Sequence, residues 1–133
     1  MTKENLRLLD ANLNRLREGI RVVEDIYRYI FNNKIVATEL KQLRHKSRIK
    51  SELFSALIDS RDIKNDVLKI STKSEQNRTD LNSILIANFK RAQESARVLE
   101  EFGKLIDIDT SEDFKSIRYE LYHLEKNITK VSK

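Results

Sequence analysis

Cysteine and proline are absent from this 133-residue sequence, and glycine occurs only twice. With no cysteine and two well-separated histidines, the chain offers too few ligands for a structural zinc site. With little to interrupt helices, 39% hydrophobic and 35% charged residues are typical of long amphipathic helices. No apolar run approaches the ~18 residues of a membrane span, and no signal peptide opens the sequence. We therefore expect a soluble, cytoplasmic, all-α protein with no membrane partner.

One stretch of sequence occurs twice. Residues 11–25, ANLNRLREGIRVVED, align without a gap with residues 87–101, ANFKRAQESARVLEE, 76 positions later. Five polar pairs recur in order, namely Asn12/Asn88, Arg15/Arg91, Glu18/Glu94, Arg21/Arg97 and Glu24/Glu100. Core packing alone rarely needs a repeated polar set, because apolar residues of similar volume interchange at small cost. The repeated polar residues are therefore the first candidates for function.

Hydrophobic periodicity predicts four helices, at about residues 3–31, 34–58, 81–106 and 112–130. Asn33 is expected to cap the second helix and Thr79 or Asp80 the third. The sequence of residues 110–113 resembles a capping box for the fourth helix.

The repeat continues into the second helix of each half, where residues 40–44 match residues 114–118 at an offset of 74. Each half is thus predicted to be an αα-hairpin. The fold prediction is a single all-α domain over residues 1–133, a four-helix bundle with pseudo-two-fold symmetry. Its parts are a first repeat at about 3–58, a loop at 59–80 and a second repeat at about 81–130.

Arg15 and Gly19 lie on the flank of the apolar face of the first helix, where an apolar residue would be expected. An unpaired buried charge is very unfavourable. We therefore predict that Arg15 and Arg91 are largely buried and matched to carboxylates or to a bound anion. Gly19, matched by Ser95, predicts either close packing of the two long helices or the approach of a ligand.

The loop at 59–80 is long and polar, which favours a functional or mobile segment, and Val67, Leu68 and Ile70 could pack part of it against the bundle.

No Walker loop, dinucleotide fingerprint or nucleophile elbow is present. Arginine suits bidentate phosphate recognition, and carboxylates can hold a Mg²⁺ that is shared with phosphates. Residue types alone leave two readings of equal weight, a phosphate-handling site and an internal salt-bridge network. The net charge of +5 fits either an anionic partner or a solvated helical surface.

Four segments carry a resemblance to a known family: residues 9–25, Arg61-Asp62 with Asp66, residues 87–104, and residues 117–119 with 124–125. They resemble the all-helical domain found alone or fused ahead of thiamine-phosphate synthase in some bacteria. That family is regarded as an alternative hydroxymethylpyrimidine-phosphate kinase. The resemblance covers nearly the whole chain. It implies ATP-dependent, Mg²⁺-assisted phosphorylation of 4-amino-5-hydroxymethyl-2-methylpyrimidine phosphate to the pyrophosphate, with a separate thiamine-phosphate synthase as pathway partner.

The resemblance also implies roles for individual residues. The phosphates would be bound by the repeated arginines Arg15, Arg21, Arg91 and Arg97. Asp62 and Asp66 would bind Mg²⁺ or orient the accepting phosphate, and Arg61 would contact the substrate. Asn12 and Asn88 would hydrogen-bond the pyrimidine or the nucleotide. Glu18 and Glu94 would orient the guanidiniums.

Two other functions compete with the kinase. The repeated motif could be purely architectural, in a non-catalytic subunit or helical interaction module of the thiamine pathway. The basic charge would also suit a small nucleic-acid binder, although no recognition motif or aromatic platform is present, and we expect no nucleic-acid partner. The sequence is also compatible with a homo-oligomer. In the kinase, the loop at 59–80 is expected to close over the site as a lid.

Overall fold

The computed structural model of the chain describes residues 1–71 and 80–131, with side chains up to residue 128. Its helices are α1 (Lys3–Asp25), α2 (Lys34–Lys46), α3 (Phe54–Asp59), α4 (Leu81–Gly103) and α5 (Ile108–Val131). A π-helical turn, Ile26–Ile30, continues α1, and a 3₁₀ turn, Ser51–Leu53, precedes α3. The described residues contain no strand, so the all-α prediction is confirmed. No described helix is long and apolar enough to cross a membrane.

The ends of α1 and the start of α2 follow from local side chains. Thr2 caps α1 by accepting from the backbone N–H of Asn5 at 3.1 Å. After the π-helical turn, Asn32 adopts a φ of 51°, a left-handed conformation that asparagine tolerates better than most residues. Asn33 then caps α2, as predicted, because its Oδ1 accepts from the backbone N–H of Val36 at 3.1 Å.

The second predicted helix is wrong in its length, since α2 ends at Lys46 rather than near residue 58. Ser47 is fully buried, and its hydroxyl donates to the carbonyl of Leu43 at 2.8 Å. A serine that bonds to the backbone in this way competes with helix continuation. The chain leaves the helical path at this serine and returns to it only in the 3₁₀ turn and α3.

The fourth predicted helix is wrong at its start. It begins at Ile108, because the carboxylate of Asp107 accepts from the backbone N–H of Thr110 at 2.8 Å and acts as the cap. Thr110 and Ser111, expected to open a capping box, are buried instead. The Ser111 hydroxyl donates to the carbonyl of Glu100 at 2.8 Å and ties α5 to α4. The third predicted helix ends three residues early, at Gly103, and its cap is Asp80, while Thr79 lies outside the described residues.

The contact between α1 and α4 is the most extensive helix–helix contact among the described residues. Leu16, Ile20 and Ala96 lie fully buried at its centre. A Cβ atom added at Gly19 would stand 3.1 Å from the carbonyl oxygen of Asn88 and 3.3 Å from the Cβ of Ala92. Close helix packing therefore explains this glycine.

Each half contains a buried ion pair at equivalent positions. In the first half the Nε of Arg44 donates to Glu24 at 2.7 Å, and in the second the Nη2 of Arg118 donates to Glu100 at 2.9 Å. The pairs join α1 to α2 and α4 to α5. Part of the repeated polar set thus forms internal salt bridges between neighbouring helices. The arrangement as two αα-hairpins related by a two-fold rotation stays a prediction.

Candidate functional site

A groove of about 770 Å³ runs beside the contact of α1 with α4 and is bordered by the start of the 59–80 loop. We call it the α1–α4 groove. Its lining from the helices is Asn12, Arg15, Arg91, Glu94, Ser95 and Val98, and its lining from the loop is Ile63, Lys64, Asp66, Leu68 and Lys69. The volume lies in the range of small-molecule sites. Five residues selected from the sequence therefore line one groove: Asn12, Arg15, Asp66, Arg91 and Glu94.

The arginines of the groove are exposed, which corrects the prediction that Arg15 and Arg91 are largely buried. Both sit where the apolar face of their helix ends, and the groove keeps that flank open to water. The guanidiniums are therefore solvated and need no internal partner. No described carboxylate forms an ion pair with either of them. The groove carries four cationic side chains against two carboxylates, a balance that favours an anionic ligand.

The repeated asparagines are both buried and make equivalent hydrogen bonds. The Nδ2 of Asn12 donates to the carbonyl of Leu8 at 3.0 Å, and that of Asn88 donates to the carbonyl of Ile84 at 2.8 Å. Asn12 lines the groove, and with its Nδ2 engaged it offers the acceptor Oδ1 to a ligand. The lining of the groove does not include Asn88, whose backbone packs against Gly19.

Three other repeated residues stand away from the groove. Arg21 pairs with Asp25 at 3.4 Å along the exposed side of α1. Arg97 bonds to Glu100 at 3.0 Å and to Glu101 at 3.1 Å, so its charge is compensated within α4. Glu18 is exposed and is not among the lining residues. The structure thus brings Arg15 and Arg91 together and leaves Arg21, Arg97 and Glu18 outside.

The loop is anchored to α1 at its start. The guanidinium of Arg61 makes a bidentate contact with the buried carboxylate of Asp10, at 2.6 and 3.1 Å. Arg7 donates to the backbone carbonyl of Asp62 at 2.9 Å. Arg61 therefore serves as a clasp between loop and helix. Asp10 was not among the residues selected from the sequence, although an acidic residue next to Leu9, at the edge of an apolar helix face, could have indicated a buried ion pair.

The two loop aspartates differ in their surroundings. The Asp62 carboxylate accepts from the Nδ2 and the backbone N–H of Asn65, at 2.7 and 3.2 Å, and these bonds lower its pKa. Asp66 accepts from the backbone N–H of Leu68 at 3.0 Å. Of the two aspartates, Asp66 lines both the α1–α4 groove and a smaller groove of about 250 Å³, whereas Asp62 lines the smaller groove alone, together with Asp10.

The acidic residues fit a lightly held Mg²⁺ rather than a dedicated metal cage. Within residues 1–71 and 80–128 no group of three or more histidine, aspartate or glutamate side chains could hold a metal ion. Mg²⁺ is often bound by one or two carboxylates, with substrate phosphates and water supplying the other ligands. Asp66, at the junction of the two grooves, could hold an ion in this way, with Asp62 as its neighbour.

The ThiD2 family model matches residues 7–127. The chain belongs to the ThiD2 family. Similar proteins include the thiamine-phosphate synthase of Thermosynechococcus vestitus, 42% identical over 92% of this chain and 35% of that protein. Those of Synechocystis and Rhodopirellula baltica are 40% and 41% identical, over 92% and 88% of this chain and 35% and 32% of theirs. The chain thus spans about a third of the length of these relatives. No solved structure gives a significant match.

Several groove residues of this ThiD2-family chain were missed in the sequence. Lys64 and Lys69 add positive charge, while Ile63, Leu68 and Val98 add apolar surface. The lysines gave no signal beyond the polarity of the loop. Ser95 gave one, because it is the partner of Gly19 in the repeat.

Proposed function

We propose that the chain is a kinase that converts 4-amino-5-hydroxymethyl-2-methylpyrimidine phosphate to the pyrophosphate with ATP and Mg²⁺. The observation that carries the proposal is that Arg15 and Arg91, at equivalent positions of α1 and α4, line one cationic groove and form no ion pair with a carboxylate of the described residues. Membership in the family and the likeness to thiamine-phosphate synthases support the pathway, because a synthase would use the pyrimidine pyrophosphate.

In the proposed reaction, an oxygen of the pyrimidine phosphate attacks the γ-phosphorus of ATP. A new P–O bond forms, the bond between the γ-phosphorus and the β–γ bridging oxygen breaks, and ADP leaves with that electron pair. Phosphoryl transfer depends on positioning and on neutralising charge more than on covalent chemistry. Arg15 and Arg91 would donate bidentate hydrogen bonds to the reacting phosphates. Bound Mg²⁺ would supply further charge neutralisation, with Asp66 holding it.

The remaining lining residues suit the pyrimidine ring. Asn12 Oδ1 can accept a hydrogen bond from the 4-amino group, and Val98, Ile63 and Leu68 offer apolar contact to the ring and its methyl group. Glu94 lies within the same groove and can orient Arg91 three residues before it.

The lid is part of the proposal. Residues 63–69 already border the groove, and the Arg61–Asp10 clasp fixes the point from which the loop would move. Residues 72–79 of the predicted lid lie outside the described residues. The expected packing of Val67, Leu68 and Ile70 against the bundle is wrong, since these residues are 93%, 85% and 83% exposed. These exposed apolar side chains are available to cover a bound substrate.

The direct test is to incubate the purified chain with ATP, Mg²⁺ and the pyrimidine phosphate and to measure ADP and the pyrophosphate ester by mass spectrometry. The expected result is stoichiometric formation of both products, and Asp66→Asn should lower turnover by about 10²-fold with unchanged folding. Asp59→Asn, an exposed change at the last residue of α3 that removes the same charge outside the lining, is the matched control. Absence of both products with wild-type protein would exclude the kinase.

A second candidate is a non-catalytic substrate-binding or interaction subunit of the same pathway. The observation in its favour is the Glu24–Arg44 and Glu100–Arg118 pairs, since they show that repeated charges can be architectural. Calorimetry separates the two functions. Saturable heat with the pyrimidine phosphate but no ADP formation with ATP present would identify a binding subunit, for which a separate thiamine-phosphate synthase is the partner to try first.

A further inference from the structure

Another pocket, of about 240 Å³, lies between α1 and the segment that follows α2. We call it the α1–α3 pocket. Its walls are apolar and come from Leu13, Ile49, Phe54 and Leu57, while Arg17 and Arg48 add two guanidiniums to its lining. It shares no lining residue with the α1–α4 groove.

The guanidinium of Arg17 is poorly compensated. Its Nε is buried and has no hydrogen-bond partner. Burial lowers the pKa of Arg17, and the positive charges of Arg48 and Arg44 lower it further. Within residues 1–71 and 80–128, neither Arg17 nor Arg48 forms an ion pair, and Arg44 is already bound to Glu24. A partly desolvated cation among like charges is unfavourable unless an anion joins it.

The second half of the chain shows what is missing from the first. Gln93 stands at the position of Arg17, and its Nε2 donates to the carboxylate of Glu125 at 3.2 Å. The position equivalent to Glu125 is Ser51, because α2 has ended and the chain has entered the 3₁₀ turn. Among the residues that the structure describes, the first half therefore has two arginines without an ion pair at a small apolar cavity, where the second half has a neutral donor and an acid.

We propose that the α1–α3 pocket binds a small anion carried on an apolar or aromatic group. The carboxylate or phosphate lies between Arg17 and Arg48 and accepts from their guanidinium groups. The apolar body packs against Leu13, Ile49 and Phe54. The volume suits a single ring rather than a nucleotide.

The first test is an NMR titration of the ¹⁵N-labelled chain that follows the arginine Nε–Hε signals. Benzoate and phenyl phosphate are the probes, and neutral benzamide and inorganic phosphate each lack one half of the proposed recognition. Benzoate and phenyl phosphate should shift the Arg17 signal saturably, with at least tenfold higher affinity than benzamide or inorganic phosphate. Equal binding of benzamide or of inorganic phosphate, or shifts at Arg15 and Arg91 without one at Arg17, would overturn the proposal.

The second test uses Arg17→Gln, which installs the residue found in the second half. It should weaken whichever probe binds by at least tenfold, while the thermal midpoint stays level or rises because an unpaired charge has been removed. Arg28→Gln is the matched control. It removes the same charge from the π-helical turn, where Arg28 stacks on Tyr29, and should leave binding unchanged. An equal loss in both variants would mean that net charge alone attracts the probes, which would also overturn the proposal.

Discussion

The two halves of the chain use the repeated residues for different purposes. Glu24 and Glu100 make the same kind of buried pair in both halves, and the two asparagines bond to the backbone in the same way. Arg15 and Arg91 instead form no ion pair within residues 1–71 and 80–128, and both line one groove. Repeated charges with identical internal partners therefore build the hairpins, whereas repeated charges without partners are available to a ligand.

The comparison is tested most strongly by removing the buried acids. Glu24→Ala and Glu100→Ala each leave an arginine of 14% or 13% side-chain exposure without its partner. Each should lower the free energy of unfolding by about 3–5 kcal/mol, measured by urea denaturation. Glu18→Ala, at an exposed position of α1, is the control and should change it by less than about 0.5 kcal/mol. Loss of stability in only one half would break the equivalence of the pairs.

Substitution of Arg15 or Arg91 should have the opposite effect, with activity lost and stability retained. Arg15→Gln and Arg91→Gln should each reduce kcat/KM for the proposed kinase reaction by about 10²-fold, equivalent to about 2.7 kcal/mol. Their unfolding free energies should stay within about 0.5 kcal/mol of wild type, since both side chains are exposed. Arg21→Gln is the matched control because Arg21 lies on the same helix outside the groove. An equally large loss of turnover in Arg21→Gln would show that the arginines of the groove contribute no more to the reaction than an arginine outside it.

A smaller change in the free energy of unfolding is expected at Gly19, where α1 and α4 pack closely. Gly19→Ala gains up to about 1 kcal/mol of helix propensity but places a Cβ 3.1 Å from a backbone oxygen. Overpacking of this kind costs about 1–3 kcal/mol, so a net loss of about 1 kcal/mol is expected. Ser95→Ala, at the equivalent position, adds no atom and should be nearly neutral. A more stable Gly19→Ala protein would show that α1 and α4 can separate without loss.

The smallest expected effect concerns the N-terminal caps of α2 and α5, which are Asn33 and Asp107. The two caps should differ in how their contribution to thermal stability depends on pH. The hydrogen bond from Lys50, followed by those from Thr110, lowers the pKa of Asp107 from 3.8 to about 2. Because the folded pKa is depressed, this carboxylate stabilises the fold above about pH 4 and loses that contribution as pH falls to about 2. The thermal midpoint of Asp107→Asn should thus lie below that of wild type at pH 7 and converge with it near pH 2. Asn33→Asp, which places the same acid at the first cap, is the reciprocal control, and a gap that persists at pH 2 would contradict the assignment.

Local features of the fold could be predicted from the sequence because they depend on neighbouring residues. The caps at Asn33 and Asp80 follow from side chains three residues from their partners. The close approach at Gly19 follows from the size of one residue in a periodic face. The break after Lys46 was harder to predict, because a buried serine can sit within a helix or end it.

The site was less predictable than the fold, since periodicity places a residue on a flank without showing what the flank faces. Arg15 and Arg21 occupy similar sequence contexts, yet the packing of α4 opens a groove at one and leaves the other beside Asp25. The Arg61–Asp10 clasp joins residues 51 positions apart, and the repeat gives no hint of it.

That clasp also limits how far the loop can carry its acidic group. Asp66 lies four positions after the anchored Asp62, and an extended chain of that length reaches about 14 Å. A single carboxylate confined to a sphere of that radius has an effective concentration on the order of 0.1 M around the groove. Free acetate would have to be present at a similar level to compete with it. In the proposed kinase, an ion with only millimolar affinity for one carboxylate would therefore be held by Asp66 in most molecules whenever the phosphates of the proposed substrates supply its other ligands.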